Sequence, residues 1–307
     1  MAKNKHLSTE LLAELFGQLA RLEVSGIPAS QAFTLIKTKD KALNLQLQRM
    51  QQLISHGSSI AEAGFKVGVF SKIHKALVSA GESSGQLATI YKQQASDYAK
   101  TSKRLKKLKS QLYLPIFVLF LALLVRPLPR LISGEIDLSY YLSISLGAFC
   151  LMLVLSLLIY KLSLWFEPLF HRLQLQLPKV SGWIIKRQVN KFLLILSQLL
   201  EGGLTAAEAL PLATTTIKNS VLRRRFEAVI NVRSTGETVH ETLAKINAVP
   251  AIALQMIYTG EISGKLGSAL LHFTKHQGEL ISIDDDALAT WIPRWFYVAV
   301  VVFGAML

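Results

Sequence analysis

The chain has 307 residues, 51% hydrophobic and 18% charged, with 34 Lys and Arg against 20 Asp and Glu. That is enough for two domains plus membrane segments. The formal net charge of +14 is concentrated in residues 1–110, which hold 17 basic and 7 acidic residues. Such a balance fits either nucleic acid or the cytoplasmic side of a membrane. Cys150 is the single cysteine, so no disulfide framework can form within the chain. Residues 1–20 mix charges with a helical apolar pattern and lack the uninterrupted apolar core of a signal peptide.

Taken in order, Ser8 stands as an N-cap before an apolar stripe of Leu11, Leu12, Leu15, Phe16, Leu19 and Leu22. Gly26 ends that helix and Pro28 suits the first turn of the next. Leu43, Leu47, Met50, Leu53 and Ile54 make another amphipathic helix, stopped near Gly57. Ser58 or Ser59 caps a short helix, and a further one covers 71–80 before Gly81 breaks it. After Gly85 a long helix begins at Leu87 and runs through Lys100, Lys103, Arg104, Lys106, Lys107 and Lys109. Few windows alternate as strands do, so this first unit reads as an all-α bundle of about six helices.

Behind the basic cluster, 110–125 carries no charge; sixteen residues are short for a membrane span, but flanking Lys and Arg126 stems can snorkel. Pro127 and Pro129 end it. Leu138–Tyr160 then gives 23 uncharged, largely apolar residues, a transmembrane helix by length and composition. Tyr140 and Tyr141 anchor one end, Lys161 and Trp165 the other. A third apolar segment opens with Trp291, Trp295 and Tyr297, and only 13 residues follow Arg294. Either that span starts near Ala287 or it is cut short.

The second long stretch repeats the first. Gly81-Glu82-Ser83-Ser84-Gly85-Gln86-Leu87 returns as Gly260-Glu261-Ile262-Ser263-Gly264-Lys265-Leu266, an offset of 179. Residues 57–62 match 236–241 at the same 179, and 25–32 match 202–209 at 177. Three landmarks in one order mark a duplicated unit. The expected fold is all-α: two repeated six-helix-bundle cytoplasmic domains joined by transmembrane helices, integral to a membrane. The expected boundaries are 1–109 and 163–286 for the bundles, 110–127, 138–162 and 287–307 for the spans, and 128–137 for an external connection.

Lys103, Arg104, Lys106, Lys107 and Lys109 flank the first span, while the connection holds only Arg130. By the positive-inside rule both bundles face the cytoplasm, and the basic cluster has its explanation in topology and anionic lipid rather than nucleic acid. An uncharged Leu138–Tyr160 also excludes a soluble DNA-binding protein.

Catalytic chemistry is sparse. Gly260–Lys265 is one residue short of a phosphate loop, and Leu266 stands where Ser or Thr would reach magnesium. His272 and His276 are spaced for one helix face, but no HExxH glutamate separates them and their counterparts are Gln93 and Asp97. No metal or other cofactor is expected. Glu82 and Glu261 sit between glycines at a corner in both copies. Read structurally, the first glycine (Gly81, Gly260) stops a helix, and the glutamate accepts from the N–H groups of the helix that Gly85 or Gly264 opens. Read functionally, each is a carboxylate for a partner's cation or for calcium. Arg223-Arg224-Arg225 is a second candidate contact for a partner. Leu138–Tyr160 lacks Asp, Glu, Lys, Arg and His, which weighs against the competing reading of a small multi-pass transporter.

The duplicated G-E-x-S-G-x-L corner, with two spans after the first bundle and one after the second, resembles the type II secretion system F protein family. The resemblance covers nearly the whole chain. It implies a non-enzymatic platform protein of the bacterial inner membrane, serving type II secretion or type IV pilus assembly; competence machinery of the same kind would differ in cargo alone. The family's implied partners are a hexameric cytoplasmic ATPase, other inner-membrane assembly components, pilin-like subunits and further copies of itself. The sequence starts almost at the first bundle, without the N-terminal extension many members carry, so ATPase docking through such an extension is not expected.

Overall fold

The computed structural model describes residues 7–125, 128–165, 167–176, 178–232 and 236–306, and those are helical without a strand. Ser8 opens α1 (Thr9–Val24), its hydroxyl accepting from the Leu11 N–H. Pro28 precedes α2 (Ala29–Leu35), and Asp40 caps α3 (Lys41–Ser55) by accepting from Ala42 and Leu43. Ser59 caps α4 (Ile60–Lys66), and a Ser71–His74 capping box starts α5 (Lys72–Ser84). Then α6 (Leu87–Val125) runs for 39 residues. The elements α7 (Leu128–Ile132), α8 (Leu138–Trp165) and α9 (Glu167–Gln176) follow.

The second copy repeats the order. It consists of α10 (Pro178–Glu201), α11 (Ala206–Thr214), α12 (Ser220–Ile230), α13 (Val239–Ala244), α14 (Ala251–Ile262) and α15 (Leu266–Met306). Small details repeat with it. Asn219 caps α12 through Val221 and Leu222, as Asp40 caps α3 179 residues earlier. Three glycine pairs share positive φ at the same offsets: Gly26 and Gly203 (69° and 91°), Gly57 and Gly236 (87° and 91°), Gly85 and Gly264 (67° and 66°). A left-handed residue ends a helix with little strain when it lacks a Cβ, so these glycines mark where each copy must turn.

Each copy closes on its own apolar core. In the first, Leu15, Phe16, Leu43, Leu47, Met50, Phe70 and Tyr91 are buried together. In the second, Phe192 meets Phe226 edge to face at 4.9 Å, with Leu196, Leu222, Ile257 and Leu270 also buried. Full burial of each such side chain contributes about 1.5–3 kcal/mol.

The chain divides into two compact units. One joins 1–103 with 178–280, so both copies pack within it. Here α5 of the first copy lies against α10 and α11 of the second. Ala80 on α5 and Gly202 after α10 approach so closely that a Cβ on Gly202 would sit 2.6 Å from that of Ala80. Gln94 Nε2 donates to Gln198 Oε1 at 2.9 Å, and both residues are buried. Asp97 receives Gln198 Nε2 at 3.4 Å and the Lys191 ammonium at 3.9 Å.

The other unit joins 104–177 with 281–307. In it Arg104 pairs with the buried Asp285 at 2.5 Å, and Lys107 pairs with Asp286 at 2.7 Å. The Tyr141 hydroxyl donates to the Leu124 carbonyl at 2.8 Å, and Phe120 meets Phe149 edge to face. Most side chains of 144–170 and all those of 295–307 lie outside the described residues, among them the expected anchors Trp165, Trp295 and Tyr297; Arg126 and Pro127 do too. Among the described residues no helix is long and apolar enough to cross a membrane.

Candidate functional site

The duplicated corner has one geometry in both copies. The Glu82 carboxylate, on the last turn of α5, accepts from the Ile60 N–H at 2.7 Å and the Ala61 N–H at 3.2 Å. The Glu261 carboxylate, on the last turn of α14, accepts from Val239 at 2.6 Å and His240 at 2.9 Å. These are the first N–H groups of α4 and α13, which have no partner inside their own helix. The helix dipole favours a negative charge at that place. The cap residue handles another donor: Ser59 accepts from Glu62, and Thr238 from Glu241, at 3.1 Å each.

This corrects the expected direction. The glutamate reaches back to the short helix before it, not forward to the helix beginning at Leu87 or Leu266. The glycine roles shift as well. Gly81 and Gly260 do not stop a helix; they lie inside α5 and α14. A Cβ on Gly81 would lie 2.9 Å from Ile90 Cδ1, and one on Gly260 would lie 2.9 Å from Leu266 Cα. They are small so that the following helix can cross closely. The left-handed stop belongs to Gly85 and Gly264, after which Gln86 donates to the Gly81 carbonyl and Lys265 to the Gly260 carbonyl, 2.9 Å each. The sequence holds one trace of the reach: each short helix begins 22 residues upstream of its glutamate, inside the second repeated landmark, but spacing does not say which helix start the carboxylate takes.

The other candidates lie elsewhere. Arg223–Arg225 stand on α12. Arg223 pairs with Glu227 one turn on, at 3.5 Å, while Arg224 and Arg225 are exposed. Of the basic cluster, Arg104 and Lys107 form the ion pairs with Asp285 and Asp286, and Lys103 and Lys109 are exposed. Sequence reading missed that the Asp284–Asp286 run supplies those counter-charges.

No catalytic arrangement emerges among the described residues, nor does any group of three or more His, Cys, Asp or Glu able to hold a metal ion. A cleft of about 200 Å³ is lined by Pro211, Thr214, Glu227, Ile230 and Asn231, whose one ionisable group, Glu227, is the partner of Arg223. His74 is buried, and both ring nitrogens are in use. Its Nδ1 accepts from the Ser71 N–H at 3.3 Å, so Nε2 carries the proton and donates to the Tyr98 hydroxyl at 2.6 Å. Burial, with the Lys191 charge adding to it, lowers the His74 pKa to about 4.

The comparisons with known proteins follow the same duplication. The family described as type II secretion system (T2SS), protein F matches residues 15–129 and again 192–307, more than half of the chain. The two matches start 177 residues apart, the offset between Gly26 and Gly203. The chain belongs to this protein F family. Among its relatives is the type IV pilus assembly protein PilC of Pseudomonas aeruginosa, 24% identical across 94% of this chain and 85% of that protein. Type II secretion system protein F of Xanthomonas campestris is 25% identical across 95% of this chain and 79% of its own. The protein transport protein HofC homolog of Haemophilus influenzae is 23% identical across 96% and 81%. These family names are those of secretion and pilus-assembly components, and none names an enzyme.

Proposed function

We propose that this protein F relative is a non-enzymatic platform of the bacterial inner membrane. It couples a hexameric cytoplasmic ATPase to the extraction and assembly of pilin-like subunits, in type II secretion or type IV pilus biogenesis. The observation that carries the reading is the duplicated bundle, matched by the family in both copies and packed as one unit without a catalytic arrangement among the described residues. A protein of that build presents surfaces to partners and does little chemistry itself. The uncharged run Leu138–Tyr160 and the flanking Lys103, Lys106 and Lys109 support membrane insertion with both copies on the cytoplasmic side. Arg224 and Arg225 meet an acidic partner directly. Glu82 and Glu261 shape the neighbouring surface by fixing the α4–α5 and α13–α14 corners.

Affinity purification of the membrane-extracted protein in mild detergent tests this. Recovery of a hexameric secretion or pilus ATPase together with pilin-like subunits is the expected result. A preparation that retains its fold yet carries neither would overturn the platform reading.

A further inference from the structure

The contact between the two copies is not symmetric. The α5–α6 face of the first copy meets the α10–α11 face of the second, and these are different parts of the repeat. A contact of this head-to-tail kind leaves one half of the same interface open on each copy. The α14–α15 face of the second copy matches the α5–α6 face, and the α1–α2 face of the first matches the α10–α11 face.

Both unmatched halves are exposed. Leu77 and Ala80 on α5 are buried; their counterparts 179 residues on, Met256 and Thr259, are exposed, Met256 by 43%. Ile252, one turn before Met256, is 61% exposed and extends the apolar stripe. On the other half, Gln198 and Gly202 are buried, while their counterparts Arg21 and Ser25, 177 residues earlier, are exposed.

The chemistry across the copied contact stays complementary although its residues change. Asp97 with Lys191 becomes His276 with Glu14, an imidazole N–H facing a carboxylate with the donor and acceptor sides exchanged. Gln94 with Gln198 becomes Phe273 with Arg21, a ring and a guanidinium suited to stack. Ala80 beside Gly202 becomes Thr259 beside Ser25, both small.

We infer that a second copy of this chain docks its α1–α2 face, through Glu14, Arg21 and Ser25, onto the α14–α15 face carrying Met256, Phe273 and His276. The intramolecular contact between the two copies is thereby repeated between chains. The inference deepens the self-association of a platform protein, but it stands on the internal contact and needs no machine component.

The test is disulfide trapping in membranes with the full chain, Cys150 first replaced (Cys150→Ser). One tagged chain carries Ser25→Cys and a differently tagged chain carries Thr259→Cys. Oxidation of co-expressed chains should give a mixed dimer at roughly ten times the yield of either single variant alone. Glu14→Lys should cut that yield about five-fold, and His276→Asp in the partner chain should restore it. No mixed dimer, a dominant dimer of like with like, or a yield indifferent to Glu14→Lys would each overturn the inference. Because all four positions are exposed, protein level normalises the yield. Loss of ATPase capture with trapping intact would bear on the platform reading alone.

Discussion

The Glu82 carboxylate closes onto the Ile60 N–H at 2.7 Å, joining the end of α5 to the start of α4 across 22 residues of chain. Glu261 does the same to Val239 in the second copy, also across 22. Two separate sequence landmarks therefore form one structural corner, made twice. Removing the carboxylate leaves two helix-start donors unpaired in a part-buried place, and bonds to charged acceptors contribute about 1.5–3 kcal/mol. Glu82→Ala and Glu261→Ala should each lower the unfolding free energy by about 2 kcal/mol, and the Gln variants, which keep one good acceptor, by about half of that. Thermal and denaturant melts of the detergent-purified protein read both; Ala variants as stable as wild type would mean the corner is held by something else.

The glycines inside the corner differ between the copies in a way that can be measured. An added Cβ at Gly81 meets first the end of the Ile90 side chain, which can rotate away. At Gly260 it meets the Leu266 backbone at 2.9 Å and the Ala269 Cβ at 3.2 Å, neither of which can. Gly260→Ala should therefore cost about 3 kcal/mol and Gly81→Ala about 1 kcal/mol, within the span seen for overpacking. Equal melting temperatures for the two variants would contradict the difference in surroundings.

Much of this architecture is legible in the residues. The 179-residue offset, the capping serines and most of the left-handed glycines are local features with local causes, so Ser8, Gly26 and Gly57 could be placed from spacing, whereas the stop expected at Gly81 lies at Gly85. The direction in which Glu82 reaches could not. A carboxylate next to two helix termini satisfies either one on paper, and only packing decides which lies within 3 Å. The contact between copies was hidden for a related reason: Gln94 and Gln198 are 104 residues apart, and glutamines on helix faces ordinarily point to water. The same holds for Arg104 and Asp285, 181 apart, which read separately as a membrane-flanking cation and the end of a domain.

Acid should weaken the first copy through His74. Its folded-state pKa of about 4 lies below the ordinary 6.5, because burial among Phe16, Phe70 and Tyr98 penalises the cation and Lys191 adds repulsion. The unfolded chain thus binds more protons than the folded one between those values. Stability is full above about pH 6.5, falls as the pH drops toward 4, and loses on the order of 3 kcal/mol over that window from this group. His74→Gln should be less stable at neutral pH, since the Tyr98 bond and the ring contacts are lost, but its stability should fall less between pH 6.5 and 4. Melting temperatures across that range check this, and identical slopes for variant and wild type would remove His74 as the cause.

The buried pair between the copies allows a stricter test, because its energy is a coupling. Gln94 donates to Gln198, and Gln198 donates on to Asp97, so replacing either glutamine alone leaves a buried amide partly unpaired. An unsatisfied buried group costs about 1–3 kcal/mol, whereas removing both partners together in a shape-preserving way can be nearly neutral. Gln94→Leu and Gln198→Leu should each destabilise by about 2 kcal/mol, and the double variant by less than their sum, with a coupling of about 1–2 kcal/mol. The double variant still loses the Asp97 contact, which Lys191 continues to face at 3.9 Å, so a small residual cost is expected. Strict additivity in a double-mutant cycle, read from denaturant melts, would mean that the two side chains do not meet and that the copies are joined in some other way.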